Sequence, residues 1–311
     1  MNIMSPDLLV DILIGVVVAS TPLLFAALGE LVAEKSGVLN LGVEGMMIMG
    51  AVAGFATVIG TGNHALALVA AMAGGAVMAL LFAVLTQTLL ANQVASGLAL
   101  TLFGLGLSAL WGQGYSGLSA GPFPRLNIPG FSDIPIAGKL LFGQDLMVYL
   151  SIACVAGVWW FLNRTRGGLV LRAVGENHDA AHAIGYPVVR IRYLALMFGG
   201  AMAGLGGAYL SLVQTPLWAE KMTAGRGWIA LALVVFASWK PWRSLLGAYI
   251  FGGVTVLQLH AQALGVSVSA NILSMLPYLA TILVLVVISR DKMKLQFNAP
   301  ASLGRVFYAA S

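Results

Sequence analysis

Apolar residues along this chain run in long blocks rather than in the alternating or every-third-position patterns of a water-soluble fold. The blocks lie at about 8–33, 37–60, 65–90, 94–111, 145–163, 193–214, 227–239, 244–264 and 271–289. Short polar, glycine- or proline-containing stretches separate them. A block near 20 residues is what an α-helix needs to cross a hydrocarbon core about 30 Å thick, so each predicts a membrane-spanning helix. The pattern reads as an all-α, polytopic helical membrane protein with about nine spans (eight to ten). Residues 1–311 form a single transmembrane domain. The first block is longer than the apolar region of a signal peptide and lacks the usual basic start, so it is expected to remain as the first span. Only Ala91, Asn92 and Gln93 separate the third and fourth blocks, which predicts a tight turn or a broken helix. The seventh is short for a crossing and reads equally as a re-entrant segment.

Charge sharpens this picture. The chain has 16 Lys or Arg and 11 Asp or Glu, and 59% of its residues are apolar. The 80 residues between Glu44 and Arg125 hold no charged side chain, and neither do the 46 between Arg243 and Arg290. Such stretches exclude a soluble enzyme, a nucleic-acid binder and a disordered chain. The basic excess lies between the blocks and forms no patch with interleaved aromatics, so it carries topology rather than nucleic-acid binding. Arg164, Arg166, Arg172, Arg190 and Arg192 share one loop, which is placed in the cytoplasm. Counting outward puts Lys35, Lys240, Arg243, Arg290, Lys292, Lys294 and Arg305 on that side and Arg125, Lys139, Lys221 and Arg226 outside. The amino terminus is then outside, the carboxyl terminus cytoplasmic, and 112–143 an external loop. The one cysteine, Cys154, permits no intrachain disulfide and reads as a small packing residue.

Enzyme chemistry finds little support. The Gly138-Lys139 pair is followed by Leu140 and lacks the spacing of a phosphate loop, so ATP is not held by that route. His178 and His182 have helical i, i+4 spacing. No Glu or Cys completes a ligand set, so no metal is assigned and the pair reads as a surface helix. The second block opens instead on Glu34-Lys35-Ser36-Gly37-Val38-Leu39-Asn40-Leu41-Gly42-Val43-Glu44-Gly45, where a plain apolar helix is expected. One reading is a broken helix lining a solute pathway, with Asn40 and Glu44 as polar groups; the other is a headgroup-level turn with Glu44 capping its own helix. Thr223-Ala224-Gly225-Arg226-Gly227-Trp228 interrupts the second half comparably. Paired interruptions in two halves point to a transporter with two pseudo-repeats and a site between them. The candidate pathway set is Asn40, Glu44, Asn92, Ser96 and Trp228. Gly199, Gly200, Ala203, Gly204, Gly207 and Ala208 form a small-residue stripe for close helix packing. In the loop 172–187, Asn177 is a helix cap, Asp179 suits a first turn, and Gly185 with Pro187 ends a helix of about two turns. So short a helix is marginal alone in water, and its Ala/Ile face predicts a partner protein.

On these segments the chain resembles the integral membrane permeases of ABC importers of the simple-sugar and branched-chain type, nearest those of nucleoside systems. The matching stretches are Glu34 to Gly50, Asn92 to Leu100, Arg172 to Gly185 and Gly225 to Trp239. The resemblance implies the ABC permease fold, with a short cytoplasmic helix docking into a separate ATPase subunit. Gly175, Glu176, Asn177, Ala180, Ala181, Ile184 and Gly185 would be the coupling residues, while nothing functional is carried onto His178 or Asp179. ATP and Mg would be bound by that partner, leaving no cofactor on this chain. An external solute-binding protein, a second related permease forming a heterodimer, and membrane lipid would be the other partners, in a bacterial plasma (inner) membrane. The implied cargo is a nucleoside or similar sugar-like solute. The competing reading is an ion-coupled secondary transporter of a small neutral solute, which usually needs intramembrane charges; the middle of the chain has almost none.

Overall fold

The computed structural model describes residues 6–126, 138–263 and 298–308, with isolated helical positions between 272 and 286. Ten α-helices are described: α1 (Pro6–Lys35), α2 (Val43–Thr61), α3 (His64–Ala83), α4 (Gln93–Gly112), α5 (Leu146–Arg164), α6 (Arg166–Glu176), α7 (His178–Ala183), α8 (Val188–Tyr209), α9 (Arg226–Phe236) and α10 (Pro241–Ala263). Seven of them are long and apolar enough to cross a membrane. The predicted count of nine is therefore not reached among the described residues. The seventh block forms only the 11-residue α9, about 16 Å long at 1.5 Å per residue, roughly half a crossing. The ninth block, 271–289, lies largely outside the described residues. At the end of the third block a π-helical turn, Val84–Thr88, follows α3. Leu90 then adopts φ +56°, and Asn92 caps α4 by accepting from the Ala95 amide at 3.0 Å. A tight turn joins the two spans.

The small-residue stripe explains which helix lies at the centre. A Cβ placed on Gly204 would come 2.2 Å from the Ala71 carbonyl of α3, and one on Gly50 of α2 would come 2.3 Å from the Gly204 Cα. Backbones this close gain dispersion contacts that lipid tails cannot offer, which is how helices associate where apolar burial gives no advantage. Helices α2 and α8 are mostly buried, whereas α3, α4, α5 and α10 turn one face outward, with Leu102, Phe103 and Leu110 among the exposed side chains of α4. Gly204→Ala is expected to destabilise the fold by about 1–3 kcal/mol, the usual effect of overpacking. A lower melting midpoint in detergent would register it, with Gly60→Ala as control because Gly60 faces open space.

One end of the bundle carries Lys35, Arg166, Arg172, Arg190, Arg192, Lys240 and Arg243 and is called the basic end. There Lys35 Nζ donates to the Asn298 carbonyl at 2.7 Å, which brings segment 298–308 against the end of α1. At the opposite end residues 113–126 fold over 215–218, with the Ala120 amide donating to Pro216 O at 3.0 Å.

Candidate functional site

The chain leaves α1 at the basic end, and Gly37, at φ +90°, turns it back into the bundle. The Leu41 carbonyl accepts from Thr101 Oγ1 at 3.1 Å, eight residues into α4 and so about 12 Å along its axis. Helix α2 therefore begins inside the bundle rather than at its edge. Asn40 is fully buried and shapes this turn: its Oδ1 accepts from the Gly42 amide at 3.0 Å, and its backbone N–H donates to Glu30 Oε1 at 3.1 Å.

Glu44 reaches across to the second interruption. Its Oε1 accepts from Thr223 Oγ1 at 2.6 Å and the Gly225 amide at 2.8 Å; Oε2 accepts from the Gly227 amide at 2.6 Å. The carboxylate thus caps α9 rather than its own helix α2, whose N-cap position, Gly42, makes no side-chain cap bond. Free amides and the dipole of a helix amino terminus favour an anion, and three donors offset much of the cost of burying it. Gly227 is required by space: a Cβ there would lie 2.5 Å from the Glu44 Cα and N. At the other end of α9, Trp239 Nε1 donates to Glu34 Oε2 at 2.5 Å. The half-length helix is therefore held at both ends by carboxylates from the α1–α2 region.

The structure thus brings Asn40 and Glu44 to one joint, with Trp228 in the first turn of α9. Asn92 stands apart as the α4 cap. Ser96 is buried one residue from Gly97, whose missing Cβ makes room for Leu41. Sequence reasoning passed over Glu30 and Glu34, both buried; a carboxylate inside an apolar block, as Glu30 is, was the available signal. Glu30 Oε2 has no partner among the described residues. A cavity of about 1040 Å³ at the opposite end, lined by Asp11, Arg125, Lys139, Gln144, Asp145 and Gln214 among others, was also unforeseen. The Tyr209 hydroxyl donates to Asp145 Oδ2, on one of its lining residues, at 3.0 Å.

At the basic end, α6 and α7 form the predicted loop. Asn177 caps α7 by accepting from the Ala180 amide at 2.9 Å. Glu176, Ala180 and Ala183 face outward, and Ile184 is 73% exposed. Gly185, at φ +91°, ends the turn. Gly175 is buried against the Lys35 carbonyl. Ala181 also points inward, into a cluster with Val174, Val188 and Phe307, so it is a packing residue of this helix and not part of its outer face. The histidines are not simply solvated: the His178 and His182 rings each stand edge-on to Phe307 at 5.3 Å.

The family of branched-chain amino acid transport system permease components matches residues 12–288. The chain belongs to this family. It is similar to a putative glucose ABC transporter permease protein of Haloferax volcanii, TsgC13, at 44% identity over 86% of this chain and 88% of that one. It is also similar to the guanosine ABC transporter permease protein NupQ of Bacillus subtilis (34%; 86% and 88%) and the nucleoside ABC transporter permease protein NupC of Lactococcus lactis (33%; 88% and 90%). The first two organisms each hold a second, more distant match, TsgB13 and NupP. No solved structure matches the chain. The protein is a multi-pass permease subunit of an ABC importer, a transport component and not an enzyme.

Proposed function

We propose that this permease moves a nucleoside or a similar sugar-like solute, with ATP bound and hydrolysed by a separate ATPase docked on α7. The observation that carries the reading is the pairing of the outward-facing α7 with the buried Glu44 joint: one offers a partner surface, the other a place where a half-length helix can pivot. Relatives named for glucose, guanosine and nucleosides support a neutral, hydroxyl-bearing cargo. The second permeases TsgB13 and NupP support a related permease as the other half of the pore. The basic end is then cytoplasmic, with the amino terminus outside, the carboxyl terminus inside and the polar cavity facing an external solute-binding protein, in a bacterial inner membrane. Asn40, Glu44, Ser96 and Trp228 border the pathway around the joint, with Asn92 at its inner end; Gly175, Glu176, Asn177, Ala180, Ile184 and Gly185 shape and present the docking helix.

The buried carboxylates do not revive the ion-coupled alternative. Glu34 is engaged by Trp239 and Glu44 by the α9 terminus, which makes these two braces of α9, while Glu30 accepts from the Asn40 backbone amide through one oxygen and steadies the α1–α2 connection. The test is uptake of labelled guanosine and glucose into vesicles holding the chain with its second permease, ATPase and binding protein. ATP-dependent uptake of at least one, absent when the ATPase is omitted, is expected. Uptake by the chain alone down an ion gradient would overturn the reading.

A further inference from the structure

Arg192 is fully buried in α8, yet none of the acceptors its guanidinium reaches is a carboxylate. Nε donates to the Ser36 carbonyl at 3.2 Å. Nη1 donates to Gln87 Oε1 at 3.3 Å and to the Arg305 carbonyl at 3.4 Å. Nη2 lies 3.1 Å from His178 Nδ1. A guanidinium has donors only, so His178 accepts through Nδ1 and carries its proton on Nε2. Burial, with Arg192 and Arg305 adding to it and Asp179 opposing, holds His178 below the ordinary imidazole pKa, which keeps it in that accepting form. The four acceptors come from four separate pieces: the α1–α2 connection, the π-helical turn after α3, α7, and segment 298–308.

That segment is pinned on both sides. The Ser302 amide and hydroxyl donate to the Gly175 carbonyl at 2.9 and 2.5 Å, and two residues on the Gly304 amide donates to Gly37 O at 3.1 Å. Gln93 Nε2 reaches the Arg305 carbonyl at 3.5 Å, and Phe307 fills the space between the α7 histidines and Val188. One short segment thus ties the end of α6 to the connection that leads into Glu44. A buried charge cannot leave its acceptors without a large desolvation loss, so separating these pieces from one another would be costly.

We propose that Arg192 and residues 302–307 form a strap that carries displacement of α7 into the α1–α2 connection and on to the Glu44 joint. Arg192 and Phe307 are then positioning residues of transport. The inference rests on the reading of α7 as the ATPase dock. The test uses the assembled complex with its ATPase, second permease and binding protein. Phe307→Ala and Arg192→Gln are expected to keep ATPase association within about twofold and ATP hydrolysis intact, while solute moved per ATP falls at least about tenfold; Phe307→Leu restores most of it. An unchanged ratio in Phe307→Ala overturns the strap. The unaltered complex provides a second measurement that does not depend on folding of a variant. Trapping ATP on the ATPase is expected to change amide hydrogen exchange at 175–184, 302–307 and 37–42 together. A change at 175–184 with none at 302–307 overturns the strap alone. No change at 175–184, or full ATPase association in Ile184→Asp, removes the docking reading and the strap with it.

Discussion

Replacing Glu44 by Gln is expected to lower ATP-driven uptake by about one to two orders of magnitude while the chain still inserts and accumulates. The amide oxygen can keep the Thr223 hydroxyl and the Gly225 amide, but the new NH2 group then meets the Gly227 N–H, donor against donor. One hydrogen bond to a charged group is lost, about 1.5–3 kcal/mol, and each 1.4 kcal/mol is a factor of ten. Because α9 is held at this end by the Glu44 carboxylate, the loss falls on the placement of the half-length helix rather than on the core. Glu44→Ala is a harsher change: three buried donors are left unpaired at about 1–3 kcal/mol each, and the folded protein is expected to disappear from membranes. Uptake assays with a detergent melting curve separate the two. Normal uptake by Glu44→Gln would reduce the joint to a static brace.

The second large effect is at the outer face of α7. Ile184→Asp is expected to weaken association with the ATPase at least about a hundredfold and to abolish uptake, with melting unchanged. Ile184 is 73% exposed, so the substitution leaves no cavity. In a docked complex it would forfeit about 1.5–3 kcal/mol of apolar burial and add a carboxylate that must lose its water. Co-purification of the ATPase with the variant checks it. Ala181→Asp does not make the same test, since Ala181 packs against Val174, Val188 and Phe307 and a charge there would disrupt the helix itself. Retained ATPase binding by Ile184→Asp would remove α7 as the dock.

Most of the spans were legible because a membrane helix must satisfy its own backbone and present apolar side chains over a set length, and both demands act on contiguous residues. The Asn177 cap was legible for the same local reason; Asn92, read as a pathway residue, caps α4 instead. Glu44 stood out as a costly carboxylate, but neither reading offered for it, a pathway lining or a cap on its own helix, named its partners. Its partners are about 180 residues away in the chain, and nothing in either segment's composition names the other. His178 and Arg192 show the same limit. As a helical pair the histidines looked solvated; only the return of Phe307 to their side gives them a ring to face, and only the fold sets four unrelated acceptors around one guanidinium.

The sequence by itself thus determined the solvent, the helical class, the family and the places where helices must break. These are written in runs of adjacent residues, and their physics is that of one segment against lipid or water. The tertiary structure decided that α9 is only 11 residues long, about half the length a crossing needs, that Glu44 holds its amino end, that Ala181 faces inward, and that segment 298–308 bonds both the end of α6 and the α1–α2 connection. Those are outcomes of which distant donors and acceptors meet once glycine faces allow the helices to close, and single segments carry no record of them.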